Sequence, residues 1–504
     1  MKSSTFQKLA LIVVLIGVIA RLPLLGGSLW LDEAAQAIES ARPLSEQFDI
    51  IADFQPPLLH LILHFAQLVS HHEAWMRLWG AFIPGIITLV ATLYATRKLF
   101  SKNVALFATF LLSISSFHVY FSQELRPYAL PAMWAALAWY VLALLIQKTK
   151  NKKRPALFVI YGIISWMGLF SSYLYPFFLF GQVVFMLATQ KKEAKTYLLT
   201  LVATSLAYVP WLPTFLKQLA EGRHVQSALP GWSEVVSISQ LKSIPLTIGK
   251  FIYGVLYIDP TPFFIISGML LVTSFALLSL SYYKKNKATF FSQKMWILLA
   301  WFVIPLVSAW LISFIVPVVQ PKRMLLIQPG LLIGFAYLIE WALQQKKQLL
   351  TYSSILLTTT LIGLSIVSLA TYYTNSKLQR EDWRSLHTEI LAKYPSNAVA
   401  VFSFTNPFAP WEWYDSGTYP TFSTQSLTIA AAPDLLDRSK ELLKYDYILV
   451  FDHLRTLTDP NDEILDLVKD FGYSQVELID YPNIGFVRVF VKHDARISAV
   501  PRNK

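Results

Sequence analysis

Cysteine is absent from the 504 residues, which excludes disulfides, thiolate catalysis and Cys-ligated zinc. Charge is scarce too. Charged residues make up 15 % of the chain against 55 % hydrophobic, well below the roughly 25 % charged share of soluble domains. Acidic residues are the rarer sign, 31 against 43 Lys and Arg, giving a formal net charge of +12. There is no Gly-rich phosphate-binding loop, internal repeat or low-complexity tract. With a mean hydropathy of +0.47, these shortages describe a polytopic membrane protein long enough for several domains.

Apolar runs supply the bulk of the chain. Crossing about 30 Å of hydrocarbon takes roughly 20 apolar residues. By that measure about eleven spans are expected, near 7–25, 76–96, 104–121, 128–147, 156–172, 173–189, 196–215, 262–283, 295–316, 324–343 and 350–373. The first follows Lys2 and Lys8, as a signal peptide would. Its run is long, Arg21 interrupts its far end and no A-x-A-like site follows, so an uncleaved anchor is expected.

Orientation follows from the short loops. With a cytoplasmic N-terminus, the inside loops carry Arg97, Lys98 and Lys102; Lys148, Lys150, Lys152, Lys153 and Arg154; Lys191, Lys192 and Lys195; Lys284, Lys285 and Lys287; and Lys346 and Lys347. Glu193 is their exceptional acid. The alternate loops hold Asp32, Glu33, Glu39, Glu46, Asp49, Asp53, Glu73, Glu124, Glu221, Glu234 and Asp259. The positive excess is therefore a topology signal, and nucleic acid is not an expected partner.

An odd number of spans leaves everything after Lys377 outside, where charges become frequent. The pattern predicts a helix over Arg380–Tyr394 halted at Pro395, a strand over Ala398–Thr405, a helix over Pro433–Tyr445 and a strand over Tyr447–Asp452. Asp459 and Pro460 open a further helix that ends before Gly472. Ser474–Tyr481 and Phe486–Lys492 read as a hairpin. The expected architecture is thus a membrane domain, 1–376, including an external loop over 26–75, and a small extracytoplasmic α/β domain, 377–504.

Three external segments carry polar groups at one mouth of the membrane. The first is the opening loop, with Asp32, Glu33, Gln55 and His60. The second is Ser122-Gln123-Glu124-Leu125-Arg126-Pro127-Tyr128, and the third is Pro317–Met324, with Lys322 and Arg323. Charges at that depth are costly and usually face a cavity. Asp32 and Glu33 suit either catalysis or the N-terminal dipole of an amphipathic helix over Asp32–Ala41. Arg126, Lys322 and Arg323 would each serve as a snorkelling anchor, and as a set would bind phosphate. His60 and His64 have the spacing of a metal pair, but Leu61 replaces the Glu of HExxH and no third ligand is evident, so no metal is expected. Most of the Tyr and Trp suit an aromatic belt.

In these residues the chain resembles the GT-C superfamily of integral-membrane glycosyltransferases, most closely the bacterial branch related to protein O-mannosyltransferases and lipid A aminoarabinose transferases. The likeness spans the order of parts from end to end. It rests on Leu31-Asp32-Glu33, Gln55-Pro56-Pro57-Leu58, Ser122-Gln123-Glu124-x-Arg126-x-Tyr128, Pro321-Lys322-Arg323-Met324 and Glu381-Asp382-Trp383-Arg384. Two positions depart from it: Gln55 stands where aminoarabinose transferases have Lys, and Met324 replaces the usual Tyr. Trp411–Gly417 has a faint likeness to an oligosaccharyltransferase motif with the order changed, and is expected to be buried aromatics in a loop.

The resemblance implies inverting transfer of a sugar from a polyprenyl-phosphate donor to a lipid, glycan or protein acceptor on the outer face, in a plasma or bacterial inner membrane. Asp32 would be the base, with Glu33 as support. Arg126, Lys322 and Arg323 would hold the donor phosphate, and Gln55, His60, Gln123 and Tyr128 would line the pocket. No cofactor is called for. The rival class is a transporter or lipid flippase, which would show paired pseudo-repeats and mid-membrane charges. A non-catalytic lipid-binding homologue is a third reading.

Overall fold

A computed structural model describes residues 3–147, 154–228, 238–394, 397–404, 408–415, 417–424 and 434–492. Lys2, Lys148, Lys150, Lys152, Lys153, Glu234, Pro395, Thr405, Ser416 and Pro433, all used in the expectations above, lie outside the described residues.

The apolar runs fold as helices. Among the described residues, six are long and apolar enough to cross a membrane: Glu73–Leu99, Lys191–Val225, Pro262–Lys285, Gln293–Ile312, Leu325–Gln344 and Gln348–Thr374. Shorter apolar helices occupy Ser3–Ile19, Leu58–Gln67, Lys102–Ile114, Ala129–Leu145, Arg154–Leu169 and Tyr175–Thr189. Leu58–Gln67 closes the opening loop, and the others overlap the remaining expected spans, of which the one over 104–121 breaks at Ser115 into Lys102–Ile114 and Ser116–Phe121. The fold is polytopic, α-helical and membrane-embedded.

By their contacts, the described residues form two compact units. One holds 3–26, 40–217 and 238–378, and the other 27–39, 218–228 and 379–492. The division passes through the opening loop, between Glu39 and Ser40.

In the membrane unit, Trp139 stacks on Trp301 at 5.0 Å inside a core that is largely Ala, Leu and aromatic. Two helices widen into π turns, Leu78–Phe82 and Leu299–Val303, each just ahead of a proline, Pro84 and Pro305. A proline ring clashes with the carbonyl four residues back, and a wider turn makes room for it.

Arg21, expected to mark the end of the first span, is completely buried. Its guanidinium donates to the carbonyls of Gly17 at 2.7 Å, Ser113 at 3.1 Å and Leu112 at 3.3 Å, to Ser122 Oγ at 3.2 Å, and to His118 Nδ1 at 2.9 Å. Leu112 and Ser113 end the helix Lys102–Ile114, where carbonyls lack helical partners and the dipole is negative. A buried cation is tolerable when it caps such a helix end.

The second unit contains a five-stranded sheet. Its strands are β1 (Ala398–Phe402), β2 (Thr421–Ser423), β3 (Tyr447–Phe451), β4 (Tyr473–Tyr481) and β5 (Gly485–Lys492), in the order β2-β1-β3-β5-β4. β1 runs parallel to β2 and β3, while β5 is antiparallel to β3 and β4. Alternate residues feed two cores. Ala398, Ala400, Phe402, Leu449 and Phe451 pack with Trp383, Leu386 and Ile390 of the helix Trp383–Lys393. Val399, Val401, Ile448 and Val450 pack with Ile464, Leu465 and Val468 of the helix Glu463–Asp470. This is a small α/β sandwich, as expected.

Three local differences have physical causes. The last helix starts at Glu463, three residues beyond Pro460, and Asp459 caps it from that distance by accepting from Glu463 N at 2.8 Å and Ile464 N at 3.1 Å. Ala409–Tyr414 is a short helix and not a loop, because Pro410 is pre-set for a first turn. β2 has only three residues, too few to show a period.

Candidate active site

The opening loop contributes polar groups to both units. In the sheet-bearing unit, the helix Leu31–Ala41 places Asp32 and Glu33 in its first turn, where negative charge suits the dipole. The two differ in exposure. Asp32 is half-buried, whereas Glu33 is completely buried with Arg380 Nε 3.8 Å from its Oε2. The neighbours of this turn come from late in the chain. Leu31 N donates to Glu381 Oε2 at 3.2 Å, and Trp383 Nε1 donates to the same oxygen at 2.6 Å. His453 Nε2 is 3.9 Å from Glu381 Oε1. Burial pushes the Glu381 carboxyl up, with a further push from Asp32; His453, Trp383 and Leu31 offset only part of this.

In the membrane unit the other loop residues gather around Asp53. The turn Ile51–Asp53 ends at Phe54 in the left-handed region, φ 45°, and Gln55-Pro56-Pro57 leads into the helix Leu58–Gln67. Asp53 Oδ2 meets His60 Nε2 at 2.6 Å and accepts from Gln55 Nε2. Asp53 Oδ1 accepts from Arg126 Nη1 at 3.0 Å. His60 is fully buried, with Nδ1 3.4 Å from Ser40 Oγ. Burial alone would raise the Asp53 carboxyl. The charge of Arg126 and the contacts of His60 outweigh it and hold the group below the usual carboxylate range. Asp53 and His60 also offer an oxygen and a nitrogen of the kinds that bind zinc and other divalent ions. An ion held there would add positive charge.

The structure therefore brings Gln55, His60 and Arg126 together. Tyr128 is buried nearby in sequence, and Lys322 Nζ lies 5.6 Å from the centre of its ring, a cation–π contact. Arg323 is half-buried beside Lys322 in the chain. Gln123 is bonded elsewhere: its amide donates to the carbonyls of Arg21, at 2.9 Å, and Pro23, and accepts from Tyr372 Oη at 3.0 Å. It ties down the exit of the first helix. His60 and His64 do not converge as a metal pair, since His64 Nδ1 turns to the carbonyl of Ser40 at 3.1 Å.

Sequence reasoning missed three residues. Asp53 counted only as an external charge, although it stands two residues before Gln55-Pro56-Pro57 and seven before His60. Glu381 lay within a segment read as a mere entry to the last domain. Tyr414 was set aside among buried aromatics, yet its hydroxyl accepts from Leu29 N at 2.7 Å.

Residues 54–213 match the model of the dolichyl-phosphate-mannose-protein mannosyltransferase family. Among solved structures, the chain is similar to ArnT from Cupriavidus metallidurans bound to undecaprenyl phosphate: TM-score 0.57, 12 % identity, covering 96 % of this chain and 97 % of that one. It is also similar to the Archaeoglobus fulgidus oligosaccharyltransferase tethered with an acceptor peptide: TM-score 0.55, 14 % identity, covering 99 % of this chain and 75 % of that one. The same archaeal enzyme, in a complex with Zn and sulfate, matches with TM-score 0.53 and 15 % identity over 95 % of this chain and 72 % of that one. No curated protein sequence matches significantly. At these identities the likeness is one of fold, shared over nearly the whole of this chain.

Proposed function

We propose that the protein transfers a sugar from a polyprenyl-phosphate donor to a lipid, glycan or protein acceptor on the outer face of a bacterial inner membrane, inverting the anomeric centre. The N-terminus is cytoplasmic and the sheet-bearing domain extracytoplasmic, as the alternation of basic and acidic loops supports. The observation that carries the assignment of the base is the difference between neighbours. Glu33 is buried beside Arg380, while Asp32 stays half-exposed on a first turn fixed from outside.

In the reaction, an acceptor hydroxyl oxygen attacks the anomeric carbon as its proton passes to the Asp32 carboxylate. The bond from that carbon to the phosphate oxygen breaks, and its electron pair leaves on the polyprenyl phosphate. One displacement inverts the centre. Arg126, oriented by Asp53, acts with Lys322 and Arg323 to stabilise the charge that grows on the leaving phosphate. Gln55, His60 and Tyr128 shape that part of the pocket. The lipid-linked donor is the only co-reactant the balance needs.

The test is transfer from labelled polyprenyl-phosphate sugars by membranes carrying wild type or Asp32→Asn. Loss of about 10²–10⁴-fold in rate is expected for removal of a general base. Full activity in the folded variant would take Asp32 out of the role.

A further inference from the structure

The proposed base stands at the end of a segment strapped to side chains from more than 340 residues later. Hydrogen bonds make the strap. Leu31 N donates to Glu381 Oε2 at 3.2 Å, Leu29 N to Tyr414 Oη at 2.7 Å, Ser28 Oγ to Tyr414 Oη at 3.2 Å, and Arg384 N to Ser28 Oγ at 3.1 Å. Leu31 itself packs against the core that holds Trp383.

The first N–H groups of a helix have no partner within it, and a local Ser, Thr, Asp or Asn usually supplies one. Trp30, just before this helix, has no oxygen in its side chain. A carboxylate from the far end of the chain does the work instead. It is in turn held in place, since Trp383 Nε1 donates to the same oxygen at 2.6 Å.

We infer that Glu381 is a positioning residue for sugar transfer, fixing through the Leu31 N–H the helical turn that carries Asp32, while Tyr414 fixes the residues before it. This rests on Asp32 being the base. On this view the sheet-bearing domain is part of the catalytic framework, whatever it also does for the acceptor. Side chains near reacting atoms lose about a hundredfold in rate when displaced by roughly 1 Å, which sets the scale of the effect.

The test uses the full-length protein in lipid nanodiscs with two independent readouts. Glu381→Ala is expected to lower kcat about 10–100-fold at unchanged donor KM, because the turn is misplaced while the donor site is intact. Glu381→Gln keeps an acceptor oxygen and should restore kcat to within about threefold of wild type. Hydrogen exchange should quicken at Leu29 and Leu31 in Glu381→Ala, and at Leu29 in Tyr414→Phe, with β1 and β3 unchanged. If Glu381→Ala fails to fold, Tyr414→Phe carries the test of the strap through exchange at Leu29 and through kcat. Wild-type kcat together with unchanged exchange at residues 28–31 in folded Glu381→Ala, or in Tyr414→Phe where that variant replaces it, would overturn the inference. Should Asp32→Asn prove active, the base assignment fails, and the exchange readout still decides by itself whether Glu381 holds the turn.

Discussion

Asp53 and Glu381 are both largely buried carboxylates, one in each unit, and their surroundings treat them oppositely. Asp53 has a guanidinium at 3.0 Å and an imidazole at 2.6 Å, and its acidity is strengthened. Glu381 has an indole N–H, one backbone N–H and an imidazole no nearer than 3.9 Å, and burial weakens its acidity. Neutral donors orient a carboxylate without balancing its charge. A cation does both. Asp53 therefore reads as a fixed negative charge that aims Arg126, and Glu381 as a cap that aims a backbone turn.

Removing each carboxylate is the sharpest way to break this contrast. Asp53→Asn removes the carboxylate charge that stands 3.0 Å from the mostly buried Arg126, and breaking a buried pair costs about 3 kcal/mol. It should also raise donor KM, since Arg126 loses its aim. Glu381→Gln should cost far less, because the groups that donate to Glu381, an indole and a backbone N–H, are neutral. Thermal unfolding of both variants in the same detergent measures the difference, and equal losses would dissolve the distinction.

Acidity should separate them further. The depressed Asp53 group contributes stability that is complete above the unfolded value of about 3.9 and is lost as pH falls through its lower folded value. The gap between wild type and Asp53→Asn should thus close only in strong acid. The raised Glu381 group contributes most below its unfolded value of about 4.3, and that contribution is lost as pH rises through the higher folded value. Glu381→Gln should therefore gain on wild type as pH rises. A gap that moves the same way for both would contradict the opposite shifts.

The smallest effect expected is from chelation. Transfer activity should survive EDTA, because Arg126 already supplies positive charge beside Asp53. Loss of activity, recovered by adding a divalent ion, would make Asp53 and His60 ligands and Asp53 more than an orienting charge.

Much of this was legible beforehand. Long apolar runs can only be helices in a bilayer, because every backbone group must be paired within the segment, so the spans were readable in place, though not their ends: the first helix stops at Ile19 and the run over 104–121 breaks at Ser115. The buried strands Ala398–Phe402 and Tyr447–Phe451 showed as short unbroken apolar runs. Of the candidate site, the cluster of Gln55, His60 and Arg126 was named, but the residue that joins them was not. A single Asp among many loop acids carries no local signature of its partners.

By itself the sequence determined what hydropathy and charge bias can determine: a helical membrane frame, its expected orientation and a small α/β domain, each set by local physics. Only the tertiary structure decided which acid meets which base. Asp53 and Arg126 are 73 residues apart, and Leu31 and Glu381 are 350 apart. Such pairings arise when packing closes long loops and forces buried polar groups to find partners. No window of sequence contains both halves of the bond.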